Sequence, residues 1–282
     1  MIADINTNFL YLSDKLEVSF QPFYRRLTTK LEYLQIPYGI LAGTKDIWCR
    51  DYMPVQVTEN QFIQFRFDPW YLKTRYKHLK TDPAVVCNNI DLVTIPSGIV
   101  LDGGNVVKSE NKVILTDQVL NDNKSFSESA IINQLSALFN GAQIIIIPKD
   151  PDDTYGHSDG MVKLIDDNRV LVSDYSKIAP SFHKQLISAL FNAGLEIILM
   201  PFYPSYKINS CGDFQATGIY VNFVQIGQWI LFPTFDNQAH DIIAIEIMEQ
   251  IYPGRIVPIN CIEPALDGGL LHCLTWNVLK SY

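Results

Sequence analysis

The chain has 282 residues, 48% of them hydrophobic and 18% charged, with a formal net charge of −8. That is a globular composition with ample material for a core, and an acidic chain without a basic patch does not read as a nucleic-acid binder. No apolar run approaches the roughly 20 residues that span a bilayer, so no membrane partner is expected.

Read in chain order, one pattern recurs. Residues 6–14 read as a polar turn and a short apolar strand, followed by a helix over about 17–34 and a strand over 38–42. A strand over 53–58, the turn Glu59-Asn60 and an apolar run to Phe65 come next. Residues 68–89 read as a loop with a short helix before 91–96. The hairpin returns as 105–108 with 112–117, as 161–166 with 169–174, and as 218–225 with 229–233. Each of its turns carries Asn or Gly, as hairpin turns prefer. Helices follow at 126–140, with Ser125 or Ser127 as cap, at 180–193 and at 238–252. Each leads into an apolar strand, at 143–148, 196–201 and 255–260. Residues 270–276 then read as a first strand with no partner nearby, and the segment 6–14 supplies its second. A unit split between the two ends is how a circular array closes. The expected fold is therefore α/β: one domain over 1–282, a ring of five ββαβ units.

In each unit the first strand is expected to begin at one rim of the ring. The polar residues there are Asp51, Asp102, His157 with Asp159, the stretch from Asp213 to Asn222, and His272-Cys273. One cysteine, one histidine and several carboxylates would thus share a central pocket. Alone, Cys273 reads as a buried core thiol, Asp102 as part of a turn, and Asp51 as a surface partner of Arg50. Their recurrence at one point of the repeat favours a site. Two carboxylates can bind a planar guanidinium by paired charge-assisted hydrogen bonds. Its central carbon then faces a neighbouring thiolate, and a histidine can protonate the departing amine and later deprotonate a water. A zinc site is the rival use of these residue types, but a metal between the carboxylates would compete with a cationic substrate. An acidic balance suits a cationic substrate as well.

The five cysteines show no C-x-x-C spacing, which argues against a disulfide framework or a zinc ribbon and fits a reducing compartment. Residues 1–6 lack a basic region followed by an apolar one, so no signal peptide is expected and the cytoplasm is the expected location.

Several motifs resemble one family. Trp48-Cys49-Arg50-Asp51 resembles the W-x-R-D motif of the agmatine deiminase and bacterial peptidylarginine deiminase family, and Gly156-His157-Ser158-Asp159 its G-H-x-D motif. Tyr220-Val221-Asn222-Phe223 is similar to its Y-x-N-F segment, and Gly268-Gly269-Leu270-Leu271-His272-Cys273-Leu274-Thr275 to its G-G-G-x-H-C-x-T motif. Pro253-Gly254-Arg255 also fits, and the order is the family's. The resemblance implies the five-unit propeller called pentein. It implies Cys273 as the nucleophile of a covalent thiouronium intermediate and His157 as general acid and base. Asp51 and Asp159 would clamp the guanidinium, Trp48 would pack on its plane, and Asn222 would line the pocket. Asp46, at the head of the first motif, and Asp102 join the expected substrate-binding set. No metal or organic cofactor is implied. The product would be a ureido compound plus ammonia, with a place in putrescine biosynthesis if the substrate is agmatine.

Three departures bear on the substrate's far end. Asp102 stands where the family has Glu before Gly-Gly. Trp276-Asn277-Val278 replaces the usual glutamines and proline, and 203–216 reads as an altered loop containing Cys211-Gly212. Lys73 and Arg75 could meet a substrate carboxylate, which would favour free arginine or a peptide's C-terminal arginine. Expected partners are a small cationic guanidine or an arginine-bearing peptide, with room for a homo-oligomer. The alternatives are a peptidyl- or C-terminal-arginine deiminase, an amidinotransferase, and a non-catalytic pentein binding protein.

Overall fold

The strand-turn-strand-helix-strand unit is present five times in the computed structural model, which describes residues 1–73, 76–209 and 212–281. In chain order the strands are β1 (Phe9–Ser13), β2 (Tyr38–Leu41), β3 (Val55–Thr58), β4 (Gln61–Arg66), β5 (Ile95–Val100), β6 (Val107–Lys108), β7 (Lys112–Thr116) and β8 (Gln143–Ile147). They continue with β9 (Val162–Leu164), β10 (Arg169–Ser173), β11 (Glu196–Met200), β12 (Val224–Ile226), β13 (Trp229–Thr234), β14 (Ile256–Asn260) and β15 (Thr275–Val278). They form the three-stranded sheets β3-β4-β5, β6-β7-β8, β9-β10-β11, β12-β13-β14 and β15-β1-β2. In each, the hairpin pair is antiparallel and the strand after the helix pairs parallel to the middle one. The fifth sheet joins the two ends of the chain, with Leu10 opposite Asn277 and Tyr11 opposite Trp276.

The middle strands read as near-continuous apolar runs because both faces are covered. Val113, Ile114 and Leu115 are buried, as are Val170, Leu171 and Val172, and Ile230, Leu231 and Phe232. The helices Gln21–Tyr33, Glu128–Leu138, Pro180–Asn192 and Gln238–Ile251 cover one side with residues four apart: Phe23, Leu27 and Leu31; Ile131 and Leu135; Phe182, Leu186 and Leu190; Ala244 and Met248. Ser127 caps the second of these through Ala130 N–H (3.2 Å), and Asn237 caps the last through His240 N–H (3.3 Å).

Three local expectations are corrected. The helix expected over 17–34 is two, Leu16–Ser19 and Gln21–Tyr33, because Pro22 cannot donate to the preceding turn and the chain turns out of helix at Phe20. The loop of 68–89 carries three short helices, Trp70–Leu72, Lys77–Leu79 and Pro83–Asn88, and the strand after it runs from Ile95 to Val100. The stretch 270–276 is not a strand throughout: Leu271–Leu274 is one helical turn, fixed by Leu274 N–H to Leu270 O (3.0 Å) and Thr275 Oγ1 to Leu271 O (2.8 Å), and β15 begins after Cys273.

The last correction holds around the ring. The helical turn Cys49–Tyr52 precedes β3, Gly103–Asn105 precedes β6, and the turns holding His157, Asp159 and Asn222 precede β9 and β12. A strand alternates its side chains between faces, whereas a turn can aim consecutive ones inward. The polar residues of the repeat therefore lie just ahead of each first strand.

Beneath these turns the axis is filled by buried polar groups. Asn277 Nδ2 donates to Asp4 Oδ1 (3.1 Å) and Gln225 O (3.2 Å), and Asp4 Oδ2 pairs with Lys163 Nζ at 2.7 Å.

Candidate active site

Asp51, Asp102, His157, Asp159, Asn222 and Cys273 are brought together from five units. The His157 ring lies between two carboxylates, with Nδ1 3.7 Å from Asp51 Oδ1 and Nε2 3.3 Å from Asp102 Oδ2. The glycine after Gly103 allows that approach: a Cβ on Gly104 would lie 2.5 Å from His157 Nδ1 and 2.6 Å from Asp51 Oδ1, and its N–H donates to that same oxygen at 3.0 Å. Asp153 Oδ2 accepts the His157 N–H (2.8 Å) and its Oδ1 the Tyr155 N–H (3.0 Å), which shapes the turn carrying the imidazole.

Cys273 sits on the other side. Asn222 Nδ2 lies 3.3 Å from its sulfur, and the sulfur lies 3.6 Å from both Asp159 Oδ2 and Asn222 Oδ1. Asp159 Oδ2 also accepts from His272 Nδ1 at 2.7 Å. His157, Asp159, Asn222 and Cys273 line one cavity of about 140 Å³.

Electrostatics follow from burial among three carboxylates, Asp51, Asp102 and Asp159. Burial opposes a charge on His157, but Asp51, Asp102 and Asp159 outweigh it and raise its pKa to about 10, so the imidazole is protonated at neutral pH. Burial pushes Asp51 up to about 8. Burial also opposes the charge of Asp159, yet His272, His157 and Arg50 hold it below the usual carboxylate range. Burial, then Asp159 and Asp51, push the Cys273 thiol well up. The resting pair is thus a thiol and an imidazolium, and a cation bound between the carboxylates would offset the field that holds the proton on sulfur.

Four residues expected to meet the substrate, Asp46, Trp48, Asp51 and Asp102, do not line the cavity. Asp46 Oδ1 accepts the Trp48 N–H (3.1 Å), and burial pushes its carboxyl up to about 7. The Trp48 ring packs on Gly269, where a Cβ would come within 2.3 Å of it. Asp51 and Asp102 stand behind His157 rather than on the cavity wall.

Sequence reasoning missed Tyr71, whose hydroxyl donates to Asp102 Oδ2 at 2.7 Å and whose ring meets Tyr155 edge-on at 4.7 Å. No pattern marked it, because it lies in the irregular stretch after Phe67. It also missed the pairing of His272 with Asp159, and Asp153, whose spacing four residues before His157 was the available signal.

The outer wall is acidic and aromatic. Asp150, Asp152, Asp153 and Asp213 line it, with Tyr155, Tyr206 and Phe214, and no lysine or arginine does so among the described residues. Asp213 Oδ2 accepts from Tyr155 OH at 2.7 Å, so part of the 203–216 loop reaches the cavity. Lys73 instead lies 3.7 Å from Asp68, exposed to solvent. Arg75 and Cys211 lie outside the described residues. Among the described residues no three His, Cys, Asp or Glu side chains converge as a metal site, and no helix is long and apolar enough to cross a membrane.

Residues 15–278 match the family described as Porphyromonas-type peptidyl-arginine deiminase. An agmatine deiminase of Medicago truncatula is 27% identical over 83% of this chain and 76% of its own length. The C. jejuni agmatine deiminase with substrate bound, a C315S variant, superposes with a TM-score of 0.80 at 19% identity, over 99% of this chain and 96% of that one. The Pseudomonas aeruginosa dimethylarginine dimethylaminohydrolase superposes with a TM-score of 0.58 at 11% identity, over 96% and 99%. The fold is thus the five-unit pentein propeller shared with these structures.

Proposed function

The chain belongs to the Porphyromonas-type peptidyl-arginine deiminase family, and on that premise we propose that it hydrolyses a guanidine to a ureido product and ammonia. One observation carries this reading: the Cys273 sulfur, the Asp159 carboxylate and the His157 imidazolium line a single acidic cavity.

The chemistry follows from the parts. Asp159, on the cavity wall beside the thiol, takes one edge of the guanidinium; Asp51, held at Oδ1 by Gly104 N–H, acts through the imidazole of His157 rather than on the cation directly. Cation binding lowers the negative potential on Cys273, whose proton passes to solvent because His157 already carries one, and the thiolate adds to the guanidine carbon. His157 gives its proton to the departing nitrogen, ammonia leaves, and a thiouronium remains on sulfur. The now neutral imidazole takes a proton from water as that water adds to the same carbon. Collapse breaks the carbon–sulfur bond, the hydroxyl proton passes to the departing sulfur, and the ureido product leaves with the thiol restored. Asn222, 3.3 Å from the sulfur, stabilises the thiolate.

The substrate's far end is read from the wall. Four further carboxylates without a lysine or arginine among the described lining residues favour a second positive charge over a carboxylate. Agmatine, which has an ammonium there and is the substrate named for several relatives, fits better than free arginine or a C-terminal arginine.

The test is release of ureido product and ammonia from agmatine, arginine, a C-terminal arginine peptide and an internal arginine peptide, with an amine acceptor added in a parallel set. Agmatine should be turned over fastest, and Cys273→Ala should lose at least about a thousandfold. Equal turnover by Cys273→Ala would remove the nucleophile, faster turnover of arginine would remove the substrate, and transfer to the amine would replace hydrolysis.

A further inference from the structure

We infer that His272 is a positioning residue: it holds the Asp159 carboxylate charged and aimed at the guanidinium while its backbone fixes Asn222 against the thiol. The inference rests on the reading of Asp159 as a guanidinium ligand.

His272 and Asp159 are both nearly inaccessible, at 4% and 3% exposure, and are joined at 2.7 Å. The imidazole meets the same carboxylate oxygen, Oδ2, that lies 3.6 Å from Cys273 Sγ. That bond fixes the rotation of the carboxylate. The His272 N–H donates to Asn222 Oδ1 at 3.1 Å, which assigns the opposite end of that amide, Nδ2, to the sulfur at 3.3 Å. The His272 carbonyl accepts from Arg50 Nε at 3.3 Å, so the segment is held from the neighbouring unit as well.

The choice of histidine has a physical reason. A buried carboxylate without donors takes up a proton rather than stay charged. A lysine or arginine donor would hold it ionised but cancel its charge for the substrate. A neutral imidazole donates without cancelling. Burial, Arg50 and Lys163 push His272 down to about 3, so it contributes an N–H dipole and no charge. The other groups facing Asp159 are His157 and Asp153 from its own turn, Arg50 and Asp51 from the 49–52 turn, and Cys273.

Two amide variants separate this role from simple packing. His272→Asn puts an amide N–H close to where Nδ1 lies, whereas His272→Gln carries it one bond further. The experiment measures kcat/KM for agmatine against pH, with Asp159→Asn and thermal melting alongside. His272→Asn should keep the acidic limb of wild type. His272→Gln should move that limb to higher pH, because Asp159 then protonates more easily, and should lower kcat/KM by roughly 10- to 100-fold, mainly through KM. Equal limbs in the two variants would overturn the inference. Should His272→Gln fail to fold, His272→Asn carries the test alone, and a displaced limb in it would overturn the inference. Wild-type kcat/KM in Asp159→Asn would instead remove Asp159 from the guanidinium, a separate failure.

Discussion

His157 Nε2 lies 3.3 Å from Oδ2 of Asp102, a residue 55 positions earlier in the chain and in the preceding unit of the ring. Asp51 first, then this contact with Asp102, and then Asp159 favour the imidazolium against the cost of burial and make the histidine a standing acid. Asp102→Asn should therefore lower His157 from about 10, with Asp51 and Asp159 still holding it above the ordinary imidazole range near 6.5. Titration of the imidazole carbons by NMR checks this, and an unmoved midpoint would contradict it. The stability this raised pKa contributes is whole below about 6.5 and is lost as pH rises through about 10. The melting temperatures of wild type and Asp102→Asn should accordingly converge across that window.

Tyr71 holds the same Asp102 oxygen from the 68–89 stretch. Tyr71→Phe keeps the ring and removes one hydrogen bond to a charged acceptor. A loss of roughly tenfold in kcat/KM is expected, with little change in melting temperature. Wild-type kinetics would show that Asp102 needs no such partner.

Adjacent glycines should fail differently. A Cβ on Gly103 would lie 2.0 Å from the Arg50 backbone oxygen, whereas one on Gly104 meets the side-chain ends of His157 and Asp51. Gly103→Ala is expected to destabilise the fold, since main chain must move. Gly104→Ala should melt closer to wild type while losing at least about 100-fold in kcat/KM, because the displaced groups belong to the candidate site. Melting curves and kinetics on the two variants separate the cases.

Asp4 anchors the segment before β1 to the axis through Lys163. Burial opposes its charge, but Lys163 and then Lys108 outweigh it and hold its carboxyl well below the usual range. The stability contributed is present above the ordinary carboxylate pKa and is lost as pH falls. Asp4→Asn should cost about 3 kcal/mol at neutral pH, because it leaves Lys163 buried without its counter-ion. Denaturant unfolding at pH 7 and pH 2 checks both parts, and the difference between the proteins should shrink at the lower pH, below the ordinary carboxylate pKa near 3.8.

The repeat was legible in the sequence because its signals are local. Asn or Gly turns, apolar runs and helices with apolar residues four apart each depend on a few neighbours, and the half-units at 6–14 and 270–276 could be matched by pattern alone, though only the end of the second is strand. Cys273, His157, Asp159, Asp51, Asp102 and Asn222 were legible because they recur at one point of that repeat. Other features depend on contacts between units, which no local pattern encodes. They include the helical turn at Leu271–Leu274, the Tyr71 hydroxyl on Asp102, the bond from His272 to Asp159, and the withdrawal of Trp48 and Asp46 from the cavity. The sequence by itself determined the five-unit ring and the residue types at its rim. Only the tertiary structure decided which carboxylate serves the histidine, which faces the thiol and which lines the substrate's path, because those choices depend on distances of a few ångströms between residues 51 to 113 positions apart.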